Sequence, residues 1–243
     1  MNTIVVLPTY NEAENIGPMV AALLGLGIPD LRILVVDDAS PDGTGAVADR
    51  LAAEYPGRVD VLHRTGPRGL GRAYIAGFQR ALREGAEVIV QMDCDFSHNP
   101  ADVPRLLAPI PEYDLVIGSR YVPGGGVAAD WGWERRLLSR WGNFYARTIL
   151  GSRIHDLTGG FRAWRRETVE GLRLNRVRSQ GYIFQVETAY LCERMGYRIL
   201  EVPIHFEERR KGRSKMSLRV QIEAALRVWQ VRWRYRYENR GHG

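Results

Sequence analysis

Two aspartates, Asp93 and Asp95, stand directly after the apolar run Val88-Ile89-Val90-Gln91-Met92. On extended backbone, residues at i and i+2 point to the same side. Paired carboxylates at the end of a buried strand make a hard, oxygen-only, anionic corner. Such a corner suits Mg²⁺ or Mn²⁺, ions held by one or two carboxylates together with substrate phosphates. An isolated D-x-D is more often an acidic turn, but a second run in this chain ends the same way. Ile33-Leu34-Val35-Val36 leads into Asp37-Asp38-Ala39-Ser40-Pro41-Asp42-Gly43. Two parallel strands that deliver acids at their C-terminal ends describe a ligand crevice at the edge of an open α/β sheet. Cys94, between the acids, is expected to face the sheet packing. Ser97 reads either as a further metal ligand or as the cap of a helix that opens near Pro100.

The elements that must position these acids alternate. Thr3–Leu7 reads as a strand ended by Pro8, and Asn11 as the cap of a helix over Glu12–Leu24, weakened at Pro18. A strand at Arg32–Val36, a helix over Ala46–Tyr55 capped by Asp42 and a strand at Val59–His63 follow. A helix over Gly69–Arg83 and strands at Glu87–Met92 and Leu115–Gly118 complete the first half. Strand alternating with helix implies βαβ units and an open, mostly parallel sheet flanked by helices. Beyond Tyr121 the rhythm breaks at Pro123-Gly124-Gly125-Gly126. Helices are expected over Glu134–Leu150 and Tyr182–Met195, a glycine turn at Asp156–Phe161 and a short strand at Ile199–Val202. A basic loop spans Arg209–Lys215. The last helix, Ser217–Tyr237, carries Leu218, Ile222, Ala225, Trp229 and Trp233 on one apolar face.

The 243 residues suffice for one large domain, taken here as 1–208, with an appendage at 209–243. Cys94 and Cys192 offer neither a disulfide framework nor zinc spacing, which points to a reducing cytosol. Met1-Asn2-Thr3 runs straight into a strand, so no signal peptide is expected, and no apolar stretch is long enough to span a bilayer. The net charge of +6 is uneven. From Arg209 onward 11 basic residues face Glu223 and Glu238, whereas residues 1–208 hold 23 basic against 26 acidic. A mildly acidic body with a basic tail points to an anionic partner, a membrane surface before nucleic acid, because nucleic acid leaves the acidic strand ends unexplained.

Several motifs, taken in order, give the chain its resemblance. They are Leu7-Pro8-Thr9-Tyr10-Asn11-Glu12, Val36-Asp37-Asp38-Ala39-Ser40-Pro41-Asp42-Gly43-Thr44, Arg68-Gly69-Leu70-Gly71 and Met92-Asp93-Cys94-Asp95-Phe96-Ser97-His98. Gly118-Ser119-Arg120-Tyr121, Asp156-Leu157-Thr158-Gly159-Gly160-Phe161-Arg162 and Gly212-Arg213-Ser214-Lys215 complete the set. Over nearly its whole length the chain resembles the dolichol-phosphate (polyprenol-phosphate) mannosyltransferases of glycosyltransferase family 2, which have the GT-A fold.

The resemblance implies inverting transfer of mannose from GDP-mannose to a polyprenyl monophosphate, with Mg²⁺ or Mn²⁺ held at Asp93 and Asp95. It implies a nucleotide-sugar site at Pro8, Tyr10, Glu12, Val36, Asp38, Asp93, Cys94, Arg120 and Arg209. The acceptor phosphate falls to Arg135 and Ser139, four residues apart and so on one helical face. Asp95, Arg120 and Arg135 carry the chemistry. Gln185 and Glu187 resemble an acceptor-side helix, with packing the equal alternative. An ionised phosphate nucleophile needs positioning and charge compensation more than a general base. The implied setting is peripheral, on the cytoplasmic face of an anionic membrane, with a separate anchoring subunit where relatives carry spanning helices. UDP-glucose as donor stays open. A nucleotidyltransferase would want a glycine-rich phosphate loop after the first strand, and a dehydrogenase G-x-G-x-x-G; Pro8-Thr9-Tyr10-Asn11 is neither.

Overall fold

The computed structural model describes residues 1–129, 131–208 and 218–237, with side chains in the last stretch described from residue 225. The chain opens with β1 (Thr3–Thr9), α1 (Ala13–Leu24), β2 (Leu31–Asp37), α2 (Thr44–Glu54), β3 (Val59–His63), α3 (Leu70–Arg83) and β4 (Val88–Gln91). Then come α4 (Val103–Leu107), β5 (Leu115–Ser119), β6 (Gly126–Val127), α5 (Trp133–Leu150), β7 (Arg162–Arg165) and α6 (Arg166–Gly171). The last elements are α7 (Tyr182–Arg194), β8 (Ile199–Pro203), β9 (His205–Phe206) and α8 (Leu218–Tyr235).

Seven strands form one sheet in the order β3-β2-β1-β4-β7-β5-β8. All neighbours are parallel except β7, which runs antiparallel between β4 and β5. From β1 the chain winds outward to β2 and β3, then returns to place β4 on the other side. That reversal opens a crevice at the C-terminal end of β1, where the Asp37-Asp38 and Asp93-Asp95 segments emerge.

Both sheet faces are covered, as a parallel sheet requires. Ile4, Val6, Leu34, Val36 and Ile89 join one core with Tyr74 and Phe78 of α3 and Phe184 and Val186 of α7. Val5, Leu7, Ile33, Val35 and Val90 join the other, with Ile16, Met19 and Val20 of α1. The side-chain period of two assigns each strand residue to its layer. Gly77 of α3 lies against the Val6 and Val36 side chains, where any Cβ would collide, so this helix sits close on β1 and β2.

Several local expectations are corrected. β1 runs through Pro8 to Thr9; Pro8 lies beyond the last β1–β4 pair, where a missing N–H costs no ladder bond on that side. Asn11 adopts φ +62° and does not cap α1. Asp42 instead serves both neighbouring helix starts, accepting from Ala13 N at 3.2 Å and Thr44 N at 3.0 Å. Burial opposes the charged form of Asp42, but these hydrogen bonds outweigh it and hold its carboxyl below the usual range. α1 continues through Pro18. β7 was hidden because Arg162 and Arg165 bracket it, and a short run with two arginines does not read as a central strand.

The last helix has two apolar stripes, and the one containing Tyr235 turns inward. Val228, Val231 and Tyr235 are buried in the same core as α3 and α7, whereas Trp229 and Trp233 are exposed. The Tyr235 hydroxyl donates to the buried Glu187 carboxylate at 2.8 Å, and Arg234 pairs with the same group at 2.6 Å. That polar anchor decides the rotation of α8. Leu218, Ile222 and the Arg209–Lys215 loop lie outside the described side chains. No helix among the described residues is long and apolar enough to cross a membrane.

Candidate active site

The crevice is a cleft of about 650 Å³. β1 and the turn after it supply Pro8, Tyr10 and Glu12, and the end of β2 supplies Asp38. The β4 end supplies Asp93, Cys94, Asp95 and His98, and the β5 end Arg120. Thr158 to Gly160, Gln180 to Ile183, Gln185, Phe206 and Arg227 of α8 close the far wall. Eight of the donor-site and metal-site residues expected from sequence therefore share one cavity, together with Gln185. Val36 does not line it; its side chain is in the core. Arg135 and Ser139 lie on α5 beside the cleft, and Arg209 lies outside the described residues.

The acidic corner is held from behind. β4 stops at Gln91, so Asp93 and Asp95 sit on a turn in which Phe96 takes φ +62°. The Tyr74 hydroxyl, buried on α3, donates to Asp93 Oδ1 at 2.6 Å. Burial, then the Asp93 charge, pushes the Tyr74 phenol well above its usual pKa, so it stays a donor. His98 Nδ1 accepts the Asp93 N–H at 3.2 Å, and its ring stacks on Phe161 at 5.1 Å. Burial lowers the His98 pKa, which favours the neutral ring that accepting this bond requires. Ser97 is fully buried and donates from its backbone N (3.0 Å) and Oγ (2.5 Å) to Asp95 Oδ1. The short helix at Pro100 is capped by Asn99, not Ser97. Cys94 packs in the core, and burial raises its thiol pKa well above the usual range, so it is no nucleophile.

The donor set fits a hard divalent ion. It is oxygen-only and lines the cleft, with Asp93 and Asp95 as its two carboxylates. Asp93 and Asp95 would hold such an ion beside a bound phosphate.

On the opposite lip, Asp38 accepts from Gly69 N at 2.7 Å and pairs with Arg64. Arg68 donates to the Tyr10 hydroxyl at 2.8 Å and lies over its ring at 4.7 Å. Arg120 is tied to the buried Asp156 by a two-pronged pair, Nε–Oδ2 and Nη2–Oδ1, both 2.7 Å. Nη2 also donates to Thr158 Oγ1 at 2.7 Å. Burial works against both charges, but their mutual attraction prevails: Arg120 is pushed up and Asp156 held low. Next to it, the Tyr121 hydroxyl meets Ser139 Oγ at 2.6 Å, which connects α5 to the cleft rim. Arg135 stacks over Trp131 at 3.7 Å and pairs with Glu208 at 2.6 Å.

Gln185 faces the cleft and joins Gln91 behind it. Glu187 faces away, accepting from Ser179 N, Arg234 and Tyr235. Beneath the site, Arg162 is fully buried with Thr188 Oγ1 and the Leu157 carbonyl as partners. Its burial draws its pKa down to about 10.

The sequence from β1 through α6, residues 4–173, matches the model of glycosyl transferase family 2. The chain belongs to that family. It is 49% identical over 96% of its length, and 88% of the relative's, to a polyprenol monophosphomannose synthase of Mycolicibacterium smegmatis. It is 48% identical over 96% of its length, and 94% of the relative's, to an undecaprenyl-phosphate mannosyltransferase of Micrococcus luteus. Among solved structures, glucosyl-3-phosphoglycerate synthase of Mycobacterium tuberculosis, in complex with Mn²⁺, UDP-glucose and phosphoglyceric acid, shares the fold. Its TM-score is 0.66 at 20% identity, over 96% of this chain and 79% of that one. The GT-A-like α/β architecture of this family member is thus shared with a family of sugar-transferring enzymes.

Proposed function

We propose that this enzyme transfers mannose from GDP-mannose to a polyprenyl monophosphate, with inversion at the anomeric carbon, yielding polyprenyl-phosphate-mannose. One observation carries the reading. The carboxylates of Asp93 and Asp95 open into a cleft at the sheet's switch point, in a chain about half identical to two polyprenyl-phosphate mannose enzymes. Pro8, Tyr10, Glu12 and Asp38 seat the nucleoside on the β1–β2 side. Asp93 and Asp95 would hold Mg²⁺ or Mn²⁺, which would supply charge neutralisation for the departing nucleoside diphosphate.

Arg120 and Arg135 compensate the phosphates of donor and acceptor, with Arg209 a third candidate from sequence. The acceptor oxygen is already ionised and attacks the anomeric carbon as the sugar–phosphate bond breaks. No proton has to be removed, and among the described residues the histidine that lines the cleft, His98, is buried and accepts the Asp93 N–H. Tyr74 and Ser97 fix the two carboxylates so that little reorganisation accompanies reaction. α8 shares the core through Val228, Val231 and Tyr235, and we assign residues 209–243 a membrane- or partner-facing role on the cytoplasmic side.

The test offers GDP-mannose or UDP-glucose separately, with Mn²⁺ and a polyprenyl phosphate, and identifies the lipid product by mass spectrometry. Mannosylated lipid from GDP-mannose supports the reading. Product from UDP-glucose alone changes the donor, and no lipid product from either overturns it.

A further inference from the structure

α8 places a cation in the cleft from outside the segment that matches the family model. That match ends at residue 173, whereas Arg227 lines the cleft together with Tyr182, Ile183 and Gln185 of α7. Contacts at two levels of the helix set its direction. Arg227 and Arg234 are seven residues apart, which at about 100° per residue leaves them within about 20° of one line along α8 and roughly 10 Å apart. Arg234 meets the buried Glu187 carboxylate of α7 at 2.6 Å, and Tyr235 donates to the same group at 2.8 Å. From α5, the Tyr145 hydroxyl donates to the Ala225 carbonyl at 3.2 Å, and Arg232 donates to the Ile149 carbonyl. α8 cannot rotate without breaking these bonds. The row that puts Arg234 on Glu187 therefore puts Arg227 at the cleft.

The position of that cation selects its ligand. Arg68 stands on the lip with Tyr10, the side given to the nucleoside, and Arg120 at the end of β5. Arg227 stands on the far wall, on a helix bonded to both α5 and α7. α5 carries Arg135 and Ser139, and α7 carries Gln185. The other lining residues of that wall from 180 to 185, Gln180, Gly181, Tyr182, Ile183 and Gln185, carry no charge. The lining carboxylates Glu12, Asp38, Asp93 and Asp95 come from the ends of β1, β2 and β4. An anion that enters along the far wall meets the guanidinium of Arg227, whose planar fork suits phosphate oxygens.

We propose that Arg227 is an acceptor-binding residue, which completes from α8 the phosphomonoester site begun by Arg135 and Ser139 on α5. The inference deepens the proposed function and rests on it for the chemistry of the acceptor. It gives the Glu187 cluster a second task. Glu187 Oε1 holds α8 through Arg234 and Tyr235, while Oε2 accepts the Ser179 N–H at 2.8 Å, next to Gln180 of the cleft wall. The Gln180 side chain in turn accepts the Arg72 N–H at 3.2 Å, at the start of α3. One buried carboxylate thus fixes the far wall and the helix that brings Arg227 to it. The last helix is then part of the active site and not only an appendage.

The test is calorimetric binding of a short, water-soluble isoprenyl phosphate to the full chain, without donor or added metal. Wild type is compared with Arg227→Gln and Arg227→Lys. A soluble acceptor removes any contribution from membrane affinity. Loss of one charge-assisted partner predicts a Kd roughly tenfold or more weaker in Arg227→Gln. Arg227→Lys, which keeps the charge without the fork, should fall between the two. In steady-state transfer, KM for the isoprenyl phosphate should rise in Arg227→Gln by a similar factor, with KM for GDP-mannose unchanged. Equal Kd values in wild type and Arg227→Gln overturn the proposal. So does an equal rise in KM for both substrates, which makes Arg227 structural, or a rise for GDP-mannose alone, which gives it to the donor diphosphate. If Arg227→Gln does not fold, the Kd of Arg227→Lys decides, and a value equal to wild type overturns the proposal. Wild type that binds the isoprenyl phosphate more tightly than Arg227→Gln but transfers no sugar to it would count against the proposed function and leave this site standing.

Discussion

Replacing Asp156 by Asn tests the electrostatic frame of the cleft at its most buried point. Asp156 has no exposed surface and accepts Arg120 Nε, Nη2 and backbone N at 2.7, 2.7 and 3.0 Å. Asparagine keeps the volume but removes the charge and turns an NH₂ group toward the guanidinium. Arg120 stays cationic and is then buried without a counter-charge. Removing one partner of a buried pair costs about 3–5 kcal/mol. Arg120 borders the cleft, where water reaches it, so the lower end, about 3 kcal/mol, is expected. For a chain of this length that lowers Tm by roughly 6–12 °C. The pH dependence carries a sign. Asp156 titrates below its unfolded value, so its contribution is complete above about pH 4 and fades as pH falls through the lower folded value. Urea unfolding of wild type and Asp156→Asn should show a constant gap near neutrality that narrows in acid. Thr158→Val, which removes a neutral partner of both Arg120 and Asp156 but leaves the ion pair intact, should cost less, about 1.5 kcal/mol. A gap under about 1 kcal/mol for Asp156→Asn, or one that ignores acidification, would refute the reasoning.

Other outcomes follow from the same geometry. Asp95→Asn should lower kcat/KM by at least about 2–3 kcal/mol of transition-state stabilisation, and EDTA should abolish transfer until Mg²⁺ or Mn²⁺ is returned. Full activity of Asp93→Ala in EDTA would contradict this. Tyr74→Phe removes one hydrogen bond to a carboxylate, worth about 1.5–3 kcal/mol, and should raise the Mn²⁺ concentration giving half-maximal rate; an unchanged Mn²⁺ titration with lowered stability would make Tyr74 merely structural. Arg135→Ala should raise KM for the polyprenyl phosphate more than for the nucleotide sugar, with only partial rescue by lysine, which lacks the planar fork. Equal loss for both substrates would assign Arg135 elsewhere.

What could be read from the sequence was what repeats with a short period or ends a strand. The alternation of β1 to β5 with their helices was legible because each strand is an apolar run and each helix an amphipathic one. The acids at the ends of β2 and β4 were legible for the same reason. β7 was not, because Arg162 is buried by tertiary contacts with Thr188 and Leu157 that no local pattern announces. Tyr74 stands 19 residues before the carboxylate it serves, on a helix whose inward face reads as ordinary core. The partnership of Arg120 with Asp156, and of Glu187 with Arg234 and Tyr235, likewise joins distant segments. The inward face of α8 was not legible, because the helix has two apolar stripes and hydrophobicity does not choose between them. A buried carboxylate on α7 selects the stripe containing Tyr235.

The central claim is most directly tested by ³¹P NMR of one reaction that holds the enzyme, Mg²⁺, GDP-mannose, UDP-glucose and a polyprenyl phosphate together. The lipid phosphomonoester signal should convert to a phosphodiester in step with GDP release, while UDP-glucose persists. A phosphodiester formed with release of UDP, or GDP released with the lipid monoester intact, would contradict it.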